Sequence, residues 1–193
     1  MKKIILLSNN ENSMRLYCWL AEKGFDVKAI QEQITMDVVE KFNPDLVISY
    51  NYAHIVKEDV IDHLGDRIIN MHISLLPWNR GSSPNIWSFI DDTPKGVTIH
   101  RLEKGLDTGK IILQKECQFD EDVETLSSSY EILNNEIVQL LIDNWELIEL
   151  GNYELFAQKG KGTYHRSSDL REFLGDRQID YSMTISDFKR YYL

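Results

Sequence analysis

Two separated stretches of this chain hold side chains that could act together on a carbonyl group. The segment IINMHISLLPWNR (68–80) ends an apolar run in Asn70, Met71 and His72. Side chains alternate along an extended chain, so Asn70 and His72 share one face while Met71 and Ile73 take the other. Farther on, HRLEKGLDTG (100–109) sets Asp107 between two small-residue turns. An imidazole can take a proton near neutral pH, and a neighbouring carboxylate fixes its tautomer and favours its charged form. The Asn amide cannot act as a base, but its N–H can donate to an oxygen that gains negative charge. The three groups suit attack by an external nucleophile on a carbonyl, with no residue acylated.

The residues alone leave a second reading open, in which Asn70 and His72 only satisfy backbone groups at a strand end. Other chemistries fit less well. Ser74 and Ser82 lack the Gly-x-Ser-x-Gly elbow, and neither Cys18 nor Cys117 has the setting of a nucleophile. His72 and Asp107 could join His100 or His165 as metal ligands. The chain has no HExxH motif or compact Cys/His cluster, however, and Asn is a poor zinc ligand, so no metal is expected.

The elements that must position these groups alternate between strand and helix. Strands are expected at 3–7, 25–30, 46–50, 67–71 and 97–101, and in the run KIILQKECQF (110–119). Helices are expected at 13–23, where Met14, Tyr17, Cys18, Leu20 and Ala21 recur at helical spacing, and at 35–42, 57–64 and 84–90. A long helix over 126–150 completes the set, with Tyr130, Leu133, Ile137, Leu140, Leu141, Trp145 and Ile148 on its apolar stripe. This order predicts an α/β fold: a Rossmann-like, mostly parallel sheet flanked by helices. Residues 1–155 would form the main domain, and 156–193 a short C-terminal appendage lying against it or against a partner.

Parallel sheets bind ligands at the carboxyl ends of their strands. There Ser8, Asn9 and Asn10 follow the first strand without a glycine, so a dinucleotide fingerprint is absent; the loop either holds an anion on backbone N–H groups or simply caps its helix. Tyr52 and His54, with Asn51, follow the third strand as candidate pocket residues. The glycine-rich, basic run 158–166, with Lys161 and Tyr164, is a candidate phosphate contact or a solvated connection.

The 193 residues suit one domain with a sizeable core. A net charge of −10 and the lack of a basic tract argue against a nucleic-acid partner. The apolar run at 4–7 is too short for an export signal or a membrane span, so it reads as a strand and no membrane partner is expected. Two cysteines, one in an expected helix and one in an expected strand, read as reduced core residues of a cytoplasmic protein.

The stretches NMHISLLPWNRG and HRLEKGLDTG resemble the signature of the folate-dependent formyltransferase family, most specifically over 68–112. The resemblance implies N10-formyltetrahydrofolate as cosubstrate and Asn70, His72 and Asp107 as the catalytic residues. It further implies that Leu75, Leu76, Pro77, Arg80, Gly81, His100 and Leu102 frame the folate pocket. Family members acting on glycinamide ribonucleotide carry a Gly-Ser-Gly loop after the first strand, where this chain has Ser8-Asn9-Asn10. The transfer-RNA enzymes resemble a longer architecture with a basic C-terminal domain. Nucleotide-sugar N-formyltransferases resemble this chain best, with GTYHRSSDL (162–170) matching the exit from their catalytic domain. The implied acceptor is the primary amine of a nucleotide-linked amino sugar, bound by Ser8, Asn9, Asn10, Tyr52, His54, Lys161 and Tyr164, with a homodimer left open. Glycinamide ribonucleotide, another small amine, and a non-catalytic folate or nucleotide-sugar binding module are the alternatives.

Overall fold

The runs KIILL and LVISY in the first half of the chain are almost wholly apolar, and strands of that kind need cover on both faces. The computed structural model describes residues 1–193. It arranges β1 (Lys3–Leu7), β2 (Asp26–Ile30), β3 (Leu46–Tyr50) and β4 (Ile68–His72) in parallel, in the order β2-β1-β3-β4. Two further strands, β6 (Gly96–Arg101) and β7 (Ile111–Glu116), extend the sheet beyond β4, each antiparallel to its neighbour. A two-residue strand, β5 (Arg80–Gly81), lies outside the sheet. The result is the α/β class expected from the sequence, with a mixed, mostly parallel sheet.

Alternation along β1 feeds two cores. Ile4 and Leu6 face α1 (Met14–Glu22) and the later helices α5 (Leu126–Asp143) and α6 (Trp145–Leu150). Ile5 and Leu7 face α2 (Met36–Phe42) and α3 (Glu58–Leu64). On β4, Ile69 and Met71 join the first core and Ile68 the second, so Asn70 and His72 project from the second face, beyond its apolar cluster.

Some elements differ from expectation. The stretch 126–150 forms two helices, because Asn144 leaves helical geometry at φ −114° and ψ 20° and its side chain donates to the Leu140 carbonyl at 2.9 Å. The buried stripe of α1 is Leu16 and Leu20, an i, i+4 pair that stabilises by about 1.5–3 kcal/mol per side chain. Cys18 and Met14 therefore face outward, and Cys18 is not a core residue. The β7 ladder ends at Glu116, so Cys117 lies just beyond the strand, with its N–H on the Lys95 carbonyl.

Downstream of Gly151 the chain returns across the molecule. Phe156 bridges to Ile111, and β8 (Tyr164–His165) pairs in parallel with β5. Then come α7 (Ser167–Leu174) and α8 (Ile185–Tyr192). Phe188 and Tyr192 of α8 pack with Ile86 and Phe89 of α4 (Pro84–Ile90), forming a third core.

Candidate active site

Antiparallel pairing of β4 and β6 sets His100 opposite Asn70 and Thr98 opposite His72. Paired residues present their side chains on the same face, so the pairing adds a second imidazole to the Asn-x-His face. The loop between β6 and β7 then carries Asp107 over that face. Its φ of 52° is left-handed, a conformation that costs a non-glycine residue roughly 1 kcal/mol or more.

These side chains converge on the Asp107 carboxylate. Asn70 Nδ2 donates to Asp107 Oδ1 at 3.2 Å and lies 3.1 Å from His100 Nε2. His100 Nδ1 sits 2.7 Å from the Arg101 carbonyl, which can only accept, so Nδ1 bears a proton; Nε2 accepts from Asn70 in the neutral ring and, once the ring is protonated, faces Asp107 Oδ1 at 3.5 Å as a donor. Both hydrogens of the Asn70 amide are thereby engaged. The other carboxylate oxygen, Asp107 Oδ2, accepts from the Gly81 N–H at 2.9 Å and lies 3.7 Å from His72 Nδ1. His72 Nε2 donates to the Asn79 carbonyl at 3.0 Å, which leaves Nδ1 as the nitrogen facing the carboxylate. The side chains of His72 and Asp107 are each 9% exposed, so a proton taken up by His72 meets the carboxylate with little solvent screening. Burial pushes Asp107 upward, but the His72 and His100 rings and the Gly81 N–H outweigh it and hold the carboxyl well below its usual range.

Asn79 is fully buried and held on three sides. Its N–H donates to Thr163 Oγ at 2.7 Å, its Nδ2 to Thr93 Oγ at 2.7 Å, and its Oδ1 accepts from Thr163 at 3.1 Å. The carbonyl that orients His72 is thus fixed in part by the segment beyond residue 156.

The other expected site residues fall in different places. Leu75 and Pro77 are half-buried in the loop before β5. Leu76 is buried, with its N–H on Thr98 Oγ and its carbonyl accepting from Gln114. Arg80 donates through Nε and Nη2 to Gln158 Oε1 at 2.9 and 2.6 Å. Leu102 packs against the second core, and His100 is buried behind Asn70.

At the carboxyl ends of β1 and β3, Ser8 is buried, Asn10 caps the following turn through Asn12 N–H, and its Nδ2 donates to Tyr130. Asn9 receives the Ala53 N–H, and Tyr52 receives the Ile34 N–H. His54, Lys161 and Tyr164 are exposed. A cavity of about 340 Å³ lies at the opposite, amino-terminal edge of the sheet, walled by Lys2, Leu46, Arg67 and Arg101 and by none of the clustered residues. No set of three or more His, Cys, Asp or Glu gathers to hold a metal ion, and no helix is long and apolar enough to cross a membrane.

Asn79 and Thr93 stood outside the sequence-derived site, and Thr163 and Gln158 entered it only as members of the 158–166 run. None lies in a periodic segment, and only tertiary contacts reveal them.

A mixed sheet bearing an Asn-x-His strand end, a left-handed Asp loop and an Arg-Gly loop defines a class. The chain belongs to the formyl transferase family, whose family model, described as "Formyl transferase", matches residues 7–143. Its structure is similar to that of the formyltransferase PseJ from Anoxybacillus kamchatkensis in complex with UDP-4,6-dideoxy-4-formamido-L-AltNAc and tetrahydrofolate. The two share 37% identity and a TM-score of 0.87, covering 95% of this chain and 96% of that one. In sequence it is 32% identical over 191 residues to the dTDP-4-amino-4,6-dideoxyglucose formyltransferase of Mycobacterium tuberculosis, covering 92% of this chain and 78% of the relative. It is 31% identical over 131 residues to the methionyl-tRNA formyltransferase of Finegoldia magna, covering 65% of this chain. The chain spans only 42% of that relative's length.

Proposed function

We propose that this protein transfers the formyl group of N10-formyltetrahydrofolate to the primary amine of a nucleotide-linked amino sugar. The observation that carries the reading is the joined cluster of Asn70, His72 and Asp107 at the carboxyl end of β4. The choice of acceptor is supported by the 37% identity, over nearly equal lengths, to a formyltransferase in complex with a formamido sugar nucleotide and tetrahydrofolate.

The folate cosubstrate supplies the formyl carbon. The chain's residues orient the amine, stabilise charge and move one proton. As the amine attacks, the formyl oxygen gains negative charge, and Asn70 turns one N–H toward it by releasing His100 or Asp107. The amine's surplus proton passes to His72 Nδ1, the nitrogen not held by Asn79. The imidazolium that forms faces the Asp107 carboxylate, which stays ionised throughout. Returning that proton to N10 releases tetrahydrofolate as the bond from carbon to nitrogen breaks.

Residues 1–155 carry this chemistry, and 156–193 supply acceptor contacts through Lys161 and Tyr164 and a surface for a homodimer. A cytoplasmic location belongs to the same reading. Incubation with N10-formyltetrahydrofolate and a panel of UDP- and dTDP-linked amino sugars tests it. A formamide product on at least one sugar is expected; transfer to glycinamide ribonucleotide with none to any sugar overturns the acceptor.

A further inference from the structure

From Glu154 to Lys161 the chain is exposed at every residue but one, and Gln158 alone turns inward. Its carboxamide joins two segments that the sequence separates. Nε2 donates to the Asp107 carbonyl at 2.8 Å and to the Gly109 carbonyl at 2.8 Å, while Oε1 receives Arg80 Nε at 2.9 Å and Nη2 at 2.6 Å. Two hydrogens meet two carbonyls, and the oxygen meets two guanidinium donors. The opposite amide orientation would set N–H against N–H and oxygen against oxygen, so the network fixes its sense. No side chain but a carboxamide offers both donors and acceptor at one tip.

The two segments joined by this tip also meet at the site itself. Gly81, next to Arg80, gives its N–H to Asp107 Oδ2, and Gln158 binds the carbonyl of the left-handed Asp107 itself and that of Gly109, two residues on. Gly109 packs so closely on Arg101 that a Cβ there would lie 1.8 Å from the Arg101 carbonyl, so the turn has no room for a side chain at this point.

We infer that Gln158 is a positioning residue for formyl transfer, clamping the Asp107 turn to the Arg80-Gly81 loop so that the carboxylate faces His72. The inference rests on the functional reading above, but one of its readouts does not need the reaction. Removing the clamp frees the turn that aims Asp107, and a misplacement of up to about 1 Å costs about 10- to 100-fold in turnover.

Two variants separate the arms of the clamp. Gln158→Leu loses both, whereas Gln158→Glu keeps an acceptor for Arg80 and loses the donors to the turn. Both are expected to lower kcat by about 10- to 100-fold, with KM for the folate within about three-fold. In NMR of protein labelled at aspartate carboxyls, both should move the Asp107 titration upward toward the ordinary carboxylate range, as the Gly81 N–H and the His72 and His100 rings lose their hold. The role is overturned if Gln158→Glu keeps wild-type turnover, if KM rises at constant kcat, or if the Asp107 titration does not move in the leucine variant. Should the wild type transfer no formyl group to any amine, the functional reading fails while the titration still decides the clamp.

Discussion

Asp107 Oδ2 lies 3.7 Å from His72 Nδ1 and accepts the Gly81 N–H at 2.9 Å, so one carboxylate oxygen ties the β4 strand end to the Arg80-Gly81 loop. At 3.7 Å this contact is an ion pair in waiting rather than a hydrogen bond, and it strengthens once the imidazole takes a proton. The arrangement stores the counter-charge before the proton arrives.

The carboxyl of Asp107 titrates well below its usual range because two imidazoles and a backbone N–H outweigh its burial. A carboxylate with a depressed folded pKa adds stability that is complete above its unfolded pKa, near 3.8, and is lost as pH falls through the lower folded value. The stability difference between wild type and Asp107→Asn should therefore be constant near neutrality and shrink once the solution is more acid than that. Urea unfolding at a series of pH values checks it; a difference that grows on acidification contradicts the assigned charge state.

Gly81 sits at φ 90°, and a Cβ added there would lie 2.2 Å from the His165 carbonyl. Gly81→Ala must push β8 away from β5 as well as strain its own backbone. A loss of about 1–3 kcal/mol is expected in denaturant unfolding, together with a fall in activity as Asp107 loses its backbone donor. An unchanged denaturation midpoint would mean that the β5–β8 pairing has slack.

The thiol of Cys117 is pushed up to about 11 by burial and by the nearby Glu136 carboxylate. At pH 8 about one such thiol in a thousand is ionised. Cys18, exposed on α1, should therefore be alkylated first by iodoacetamide, with Cys117 slower by an order of magnitude or more. Peptide mapping over a time course gives the order, and equal rates would reject the environment described for Cys117.

The sequence revealed Asn70 and His72 because a strand's period of two needs no partner to be read, and β1, β3 and α4 lie where their apolar runs and flanking Pro or Asn residues put them. His100 was visible as a residue but not as the group behind Asn70, since that depends on β4–β6 register, a tertiary choice. The break at Asn144 was hidden because the apolar phase runs on through Leu141, Trp145 and Ile148 on both sides of it. Cys18 was placed in the core because the helical pattern was drawn through Met14 and Cys18, while Leu16 and Leu20 hold the buried phase. Gln158 gives no local signal at all. It lies in an irregular segment, and its partners stand 78, 51 and 49 residues away along the chain.

The central claim is that His72 moves the proton of a formyl transfer. Wild type and His72→Ala, both verified as folded by circular dichroism, can be compared for formamide formation from N10-formyltetrahydrofolate and a UDP-linked amino sugar. Product is expected from the wild type, with a fall of about 10²- to 10⁴-fold in the variant. A folded His72→Ala protein that turns over at near the wild-type rate would contradict it.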